Sequence, residues 1–111
     1  MYVWGVRWVI NMGKILNLTL KKKWFDLIAS GKKKFEYREI KEYWVRRLFE
    51  EEHPNPLKHY DFIRFRNGYR KDCPTMDIEY DALSIKEFEG KMHYALHLGK
   101  ILSIKNYSPK P

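Results

Sequence analysis

The chain has 111 residues, of which 44% are hydrophobic and 16% aromatic, and it carries a net charge of +8. This length and composition predict one domain with a single core, and they exclude a wholly disordered chain or a two-domain protein. The charge favours an anionic partner such as nucleic acid, although a basic protein without such a partner is the competing interpretation. Residues 1–34 carry eight Lys or Arg and one acid, whereas residues 72–89 carry six acids and one lysine, which indicates one basic surface.

Cysteine and histidine usage argues against metal or cofactor chemistry. The single cysteine, Cys73, excludes an internal disulfide and a cysteine-based metal site, and we interpret it as a loop thiol in a reducing, cytoplasmic protein. His93 and His97 lie on a predicted strand at a separation of about 13 Å, which is too far for a shared metal ion. The sequence therefore predicts no metal and no cofactor.

The first eleven residues are apolar but too short to cross a bilayer, and they lack a small-residue cleavage site. We therefore predict neither a membrane helix nor a signal peptide, and no membrane partner. Met12-Gly13-Lys14 is typical of a natural start that leads directly into a strand. Residues 1–11 are accordingly interpreted as an N-terminal extension, and residues 12–108 as the single domain.

The N-terminal half is predicted to contain a strand, a helix, a second strand and a second helix. Residues 15–20 alternate apolar and polar side chains, which predicts a half-buried strand. Residues 22–30 carry apolar side chains at helical spacing, and Gly31 is suited to a left-handed cap after them. Residues 33–40 predict a second strand, and residues 43–51 predict a second amphipathic helix.

The C-terminal half is predicted to consist of strands. Residues 60–66 and 69–72 flank Asn67-Gly68, a dipeptide typical of a two-residue hairpin turn. Further strands are predicted at 76–88, as one long strand or two short ones with a bend near Ala82, and at 93–98 and 100–104. Five to seven strands with two short helices near the N-terminal half predict an α+β, mostly β fold, arranged as a small β-barrel.

The segment from Gly31 to Arg38 has the greatest chemical specificity in the chain. On the predicted strand, Glu36 and Arg38 lie about 7 Å apart on one face, and Lys33 can approach either of them. Arginine offers a planar fork for phosphate or guanine, and a carboxylate accepts hydrogen bonds from exocyclic amines. The competing interpretation is a solvated strand on which the Glu36–Arg38 ion pair contributes at most ~1 kcal/mol.

Other basic and aromatic residues are candidates for binding. If the turn has two residues, Arg64 and Arg66 share a strand face with Tyr69 and Lys71, where a base could stack while the cations bind phosphates. Ordinary exposed strand residues are the alternative. Lys21 and the lysines beside it are interpreted as a solvated rim that steers an anionic ligand. Four large aromatic residues are predicted to lie in the core: Trp24, Trp44, Phe49 and Phe65.

Taken together, these features resemble the ASCH family, a branch of the PUA-like superfamily. The resemblance covers residues 14–106 and rests on Gly31, Lys33, Glu36 and Arg38 placed after a strand and a helix. Three further segments fit the layout: Leu18-Thr19-Leu20-Lys21, Phe65-Arg66-Asn67-Gly68-Tyr69 and Leu96-His97-Leu98-Gly99-Lys100-Ile101. The resemblance implies a PUA-like β-barrel with a cleft beside the motif, an RNA-related role and, for a few members, hydrolysis of acetylated cytidine or of RNA.

The resemblance also assigns individual residues. Lys33 matches a lysine that is thought to be catalytic in the amidohydrolase branch. Glu36 occupies the position of that branch's threonine nucleophile, and a carboxylate cannot replace a hydroxyl nucleophile directly. Glu79 is the positional candidate for the catalytic glutamate of that branch. The departure at Glu36 weakens the amidohydrolase interpretation.

Three hypotheses for function follow. The leading one is a small RNA- or nucleotide-binding module whose basic cleft contains Lys33, Glu36 and Arg38. The second is a hydrolase using the same cleft, either a ribonuclease or an N4-acetylcytidine-type amidohydrolase, with Glu36 as general base and Lys33 stabilising negative charge. The third is an interaction module in a transcription or translation assembly, which would use exposed Tyr and Trp side chains.

Overall fold

The computed structural model describes residues 14–51 and 57–108. They form a mostly β domain with two short helices in its N-terminal half, as the sequence predicts. The proposed N-terminal extension, residues 1–11, lies outside the described residues. The elements in chain order are β1 (Ile15–Thr19), α1 (Lys22–Ala29), β2 (Phe35–Glu39), α2 (Glu42–Leu48), β3 (Phe62–Arg66), β4 (Thr75–Phe88) and β5 (Lys91–Lys105).

The five strands form one sheet in the order β1-β3-β4-β5-β2. β1 pairs with β3 in parallel, and the other neighbours are antiparallel. Within the described ranges, β1 and β2 each pair with one strand only, so the sheet is open and the predicted barrel closure is not confirmed. A side chain connects the two edges instead, because Arg38 on β2 donates a hydrogen bond to the β1 carbonyl oxygen of Thr19 at 3.0 Å. Arg47 on the second helix donates to the β1 carbonyl oxygen of Asn17, also at 3.0 Å.

The hydrophobic core lies on one face of the sheet, beneath the two helices. β1 follows the predicted alternation, since Leu16 and Leu18 are buried while Asn17 and Thr19 are exposed. Burial of each such apolar side chain contributes about 1.5–3 kcal/mol. Both helices and every strand except β2 supply buried apolar residues: Leu16, Leu18, Phe25, Ile28, Leu48, Ile63, Phe65, Met76, Ile78, Tyr94, Leu96 and Leu98.

Helix α1 ends in the conformation that its sequence predicts. Gly31 has a φ of +82°, in the left-handed region that favours glycine. The N–H groups of Gly31 and Lys32 donate to the carbonyl oxygens of Ile28 and Leu27, each at 3.0 Å. This is the hydrogen-bond pattern of a Schellman motif, which satisfies the last carbonyls of the helix and reverses the chain into β2.

The two-residue hairpin lies at a different place from the one predicted. β3 pairs with β4 across the loop 67–74, so Arg64 lies opposite Asp77 and Arg66 opposite Thr75; the predicted pairing with residues 69–72 is therefore wrong. The physical reason is that the Asn67 side chain donates to the carbonyl oxygen of Leu20 at 2.9 Å, which holds the chain away from an immediate reversal. The two-residue turn instead lies at 89–90, between the long strands β4 and β5.

The remaining differences from prediction concern lengths. α2 ends at Leu48, because Phe49 is extended and forms an isolated β-bridge with Leu57. The predicted strands at 93–98 and 100–104 are one continuous strand, β5. β4 is also a single strand, and its pairing with β5 changes register at three places between Asp77 and Ala82, where a bend was predicted.

Neither described helix is long and apolar enough to cross a membrane.

Replacing Gly31 by alanine should destabilise the domain by about 1–2 kcal/mol, because a residue with a β-carbon pays that cost in the left-handed conformation. No atom lies within 4 Å of where the new β-carbon would be, so the cost is conformational rather than steric. Urea unfolding measures the change in free energy. Gly31→Asn is the control, since asparagine tolerates this conformation; an alanine variant as stable as wild type would contradict the cap.

Candidate functional site

A wide cleft lies where the sheet fails to close. It has a volume of about 870 Å³ and runs between the end of β1 and the free edge of β2. We name it the seam cleft. Its lining residues come from six segments: Thr19, Leu20 and Lys21 at the end of β1; Trp24 from α1; Glu36, Tyr37, Arg38 and Glu39 from β2; Trp44 from α2; Asn67, Gly68 and Tyr69 from the loop after β3; and Phe88 and His93 from the β4–β5 hairpin.

Glu36 is the charged residue at the centre of the seam cleft wall. Antiparallel pairing sets Glu36 opposite Leu96 and Arg38 opposite Tyr94, so these two charged residues occupy the buried face of the sheet. Glu36 is only 6% exposed, and no other charged residue in the described part of the chain is buried. The solvated-strand interpretation of this segment is therefore wrong. A buried carboxylate is costly unless it is paired, and two cations meet this requirement.

The first cation is Lys33. Its Nζ lies 3.3 Å from Glu36 Oε1, and it also donates a hydrogen bond to the carbonyl oxygen of Phe35. The rings of Trp24 and Tyr37 lie 5.2 and 4.9 Å from the same ammonium group. Burial lowers the pKa of Lys33 from its ordinary value; the nearby Glu36 carboxylate opposes this shift, and the Arg38 charge adds to it. Lys33 borders a smaller depression near Gly31 rather than the seam cleft, so it positions Glu36 from behind.

The second cation is Arg38, which does line the seam cleft. Its Nη2 lies 2.9 Å from Glu36 Oε2 and donates to the carbonyl oxygen of Thr19 at 3.0 Å. The guanidinium carbon lies 5.0 Å from the centre of the Trp44 ring, a distance typical of cation–π contact. Arg38 Nε is buried and has no hydrogen-bond partner among the described residues. The guanidinium is thus held in place by Glu36, the Thr19 carbonyl and the Trp44 ring.

Aromatic rings form the other part of the wall. The Tyr37 and Phe88 rings are stacked, with centroids 4.2 Å apart and planes 5° from parallel. Trp24 and His93 contact Phe88 edge to face at 6.1 and 5.5 Å. Trp24 and Trp44 were predicted to lie in the core; they are half-buried and pack against it, but each also presents a surface to the seam cleft. Of the other two predicted core residues, Phe65 is fully buried and Phe49 packs against the core.

Two predicted binding residues lie at the mouth of the seam cleft. Lys21 is exposed immediately before α1. Tyr69 is 88% exposed in the loop after β3, rather than on a strand as predicted. The loop is fixed to the rim of the cleft through the Asn67 bond to Leu20. Glu36 and Arg38 therefore meet Lys21 and Tyr69 at the seam cleft, whereas Gly31 and Lys33 do not line it.

Arg64 and Arg66 lie elsewhere, on the outer face of β3. Arg64 donates to both carboxylate oxygens of Asp77, at 2.8 and 3.0 Å, and this hydrogen bonding raises the pKa of Arg64. Its guanidinium is therefore already occupied by a protein carboxylate. Arg66 lines a separate groove on this face together with Lys71. The predicted grouping of these cations on one strand face with Tyr69 is wrong, because residues 69–72 belong to the loop.

Glu79 does not reach the seam cleft. Its Oε1 accepts a hydrogen bond from the backbone N–H of Lys100 at 2.9 Å, beside Gly99 on β5. It cannot act as the second carboxylate of a catalytic site around Glu36. In the ranges 14–51 and 57–108, no three His, Cys, Asp or Glu side chains are grouped so that they could hold a metal ion.

Sequence reasoning missed several residues that line the seam cleft. Phe88 and His93 flank the Glu89–Gly90 turn, and the glycine in that dipeptide was the available signal for bringing the two rings together. Asn67 was interpreted as a turn residue, whereas its side chain anchors the rim.

No protein-family model, curated protein or solved structure matches the chain.

The substitution Glu36→Gln should destabilise the domain by about 3 kcal/mol, because removing one member of a buried ionic group leaves the others uncompensated. Here the uncompensated charges are Lys33 and Arg38. The matched control is Glu39→Gln, the same change on the same strand, where the carboxylate is exposed and also pairs with two cations, Lys41 and Lys91. Urea unfolding should give a far smaller loss for the control. Equal losses would refute the structural importance of the buried group.

The contribution of Lys33 to stability should depend on pH. Because its pKa is lowered on folding from 10.5, the folded state binds fewer protons than the unfolded state in the window just below 10.5. Stability from this group is therefore present above the unfolded pKa and is lost as the pH falls through the folded pKa. The unfolding free energy of the wild type minus that of Lys33→Met should therefore increase from neutral pH towards pH 10.5. A difference that stays flat or shrinks would contradict the burial of this ammonium.

Proposed function

We propose that this protein binds a nucleotide, or an unpaired base of RNA, in the seam cleft. The observation that carries the proposal is the buried Glu36, which is fixed by two cations and opens onto a cleft walled by aromatic rings. Buried charged groups that line a cleft are candidates for a functional site. The volume of the cleft, about 870 Å³, lies within the range of small-molecule sites.

The polar groups of the seam cleft suit the edge of a base. A carboxylate accepts hydrogen bonds from an exocyclic amine, and an arginine donates to ring nitrogen or carbonyl acceptors. Glu36 and Arg38 are adjacent at 2.9 Å and offer these two functions side by side. Bases that carry an exocyclic amine therefore fit better than bases that present only carbonyl oxygens.

The aromatic and basic groups suit the remainder of a nucleotide. The stacked pair of Tyr37 and Phe88, with Trp24 beside it, offers ring surfaces on which a base can stack for about 1–3 kcal/mol. Lys21 at the mouth provides positive charge for a phosphate. Exposed lysines nearby, including Lys23 against the Trp24 ring at 4.5 Å, add to the field that attracts an anion.

We further propose that the chain is an ASCH domain with a PUA-like, incompletely closed barrel. Gly31 supports this proposal as a left-handed helix cap, and Lys33, Glu36 and Arg38 support it by forming one connected ionic group. The hydrolase hypothesis is favoured by one observation, the buried Lys33 with its lowered pKa beside Glu36. Binding accounts better for the site, because Lys33 lies behind the cleft wall and does not line the seam cleft.

Binding should distinguish matched nucleotides. CMP carries an exocyclic amine where UMP carries a carbonyl, and GMP carries one that IMP lacks. Wild-type protein should prefer CMP to UMP and GMP to IMP by about 1–3 kcal/mol, or roughly 5- to 150-fold, for one well-formed recognition contact. Titration calorimetry measures each affinity. Glu36→Gln should abolish both preferences, provided that circular dichroism confirms a folded variant at the titration temperature.

The control for this experiment is Glu42→Gln, which removes the same charge from an exposed, ion-paired carboxylate outside the seam cleft and should keep both preferences. Affinities that ignore the exocyclic amine, or that fall equally in the two variants, would refute base recognition by Glu36. Release of acetate from N4-acetylcytidine, or cleavage of labelled RNA, that disappears in Lys33→Ala would favour the hydrolase instead.

A further inference from the structure

A second basic surface lies outside the seam cleft, on the outer face of the sheet. It is a groove of about 200 Å³ that crosses β3, β4 and β5, and we name it the outer groove. Pairing sets Arg66 opposite Thr75, and Thr75 opposite Lys105, so the two cations lie across two strand spacings, or about 10 Å. Lys71 lines the same groove from the loop.

The charge of the outer groove is largely uncompensated. Its single lining acid, Asp77, is bound by Arg64 in a two-pronged contact. Among the described residues, no ion pair involves Arg66, Lys71 or Lys105, so three positive charges face solvent together. A surface of this kind is electrostatically complementary to a polyanion.

The loop 67–74 connects the outer groove to the seam cleft. Asn67, Gly68 and Tyr69 line the seam cleft and also a shallow depression of about 390 Å³ on the loop. That depression extends to Pro74, the neighbour of Thr75 in the outer groove. Residues of this one loop therefore line both larger surfaces, with Asn67, Gly68 and Tyr69 in the seam cleft and Lys71 in the outer groove.

The loop is held in a fixed shape. The backbone N–H of Asn67 donates to the carbonyl oxygen of Pro74 at 3.0 Å. The backbone N–H of Cys73 donates to the carbonyl oxygen of Arg70 at 3.1 Å. Arg66 donates to the carbonyl oxygen of Arg70 at 3.1 Å. Tyr69 projects from this loop with 88% of its surface exposed. An exposed tyrosine on a fixed loop between two concave surfaces is suited to stacking against an unpaired base.

We propose that the natural ligand is a single strand of nucleic acid that runs from the seam cleft, over Tyr69, into the outer groove. One base occupies the seam cleft, a neighbouring base stacks on Tyr69, and Arg66, Lys71 and Lys105 contact the sugar-phosphate backbone. This inference rests on the proposed function and extends it from a nucleotide to a strand. A single strand is required because paired and stacked bases cannot enter the cleft or reach the tyrosine ring.

The experiment compares a mononucleotide with oligonucleotides of about eight nucleotides, a length within the roughly 4–16 nucleotides of known single-strand sites. Fluorescence anisotropy follows RNA and DNA versions of the strand at several salt concentrations. The oligonucleotide should bind more tightly than the mononucleotide. Salt dependence is measured as the slope of the logarithm of the binding constant against the logarithm of salt concentration. Lys71→Ala combined with Lys105→Ala should reduce the magnitude of this slope for the oligonucleotide by about 1.4, because each phosphate contact contributes roughly 0.7 for single strands. Mononucleotide affinity should not change.

The control is Lys32→Ala combined with Lys86→Ala, which removes the same charge from exposed positions outside both surfaces. Equal losses in the two double variants, equal affinity for mononucleotide and oligonucleotide, or equally tight binding of polyglutamate would overturn the outer groove as a strand site. Mononucleotide binding that still depends on Glu36 would then leave the proposed function intact. Oligonucleotide binding that is indifferent to Glu36→Gln would refute the cleft itself and the path that begins there.

Discussion

A carboxylate turned towards a hydrophobic core must be compensated, and the position of Glu36 determines much of the surrounding structure. The helix cap at Gly31 reverses the chain so that Lys33 reaches Glu36 Oε1, and Arg38 follows two residues later to reach Oε2. Arg38 in turn bonds to the opposite sheet edge at Thr19. The ionic group therefore stands in the place where a backbone ladder would close the sheet. The same contacts that compensate the buried charge keep the seam cleft open.

An inward-pointing charge on an edge strand has a second physical use, because it discourages edge-to-edge association with another sheet. Edge protection requires only that the charge be present. It does not account for the stacked rings of Tyr37 and Phe88 in the cleft wall, or for a cleft of about 870 Å³. These additional features are those of a site that receives a polar, planar ligand, which is why we favour binding.

Local patterns predicted much of the fold. The alternation in β1, the apolar spacing in α1 and the glycine after it are local signals, and the structure confirms all three. The hairpin prediction failed at Asn67-Gly68 because the asparagine side chain is engaged by the distant Leu20, a contact that no local pattern contains. The motif at Lys33, Glu36 and Arg38 was visible in the sequence, but its burial was not, because alternation alone does not say which face of β2 meets the core. The aromatic wall escaped prediction for a different reason. Large rings generally favour core positions, so Trp24 and Trp44 were assigned to the core.

A crystal structure of the protein soaked with CMP or GMP is the most direct test of base recognition by Glu36. A base should stack in the seam cleft, with its exocyclic amine within about 2.7–3.2 Å of a Glu36 oxygen, the normal range for such a hydrogen bond. Lys33 should remain behind the wall without touching the ligand. A nucleotide bound elsewhere, or a seam cleft that stays empty at saturating nucleotide, would refute this recognition.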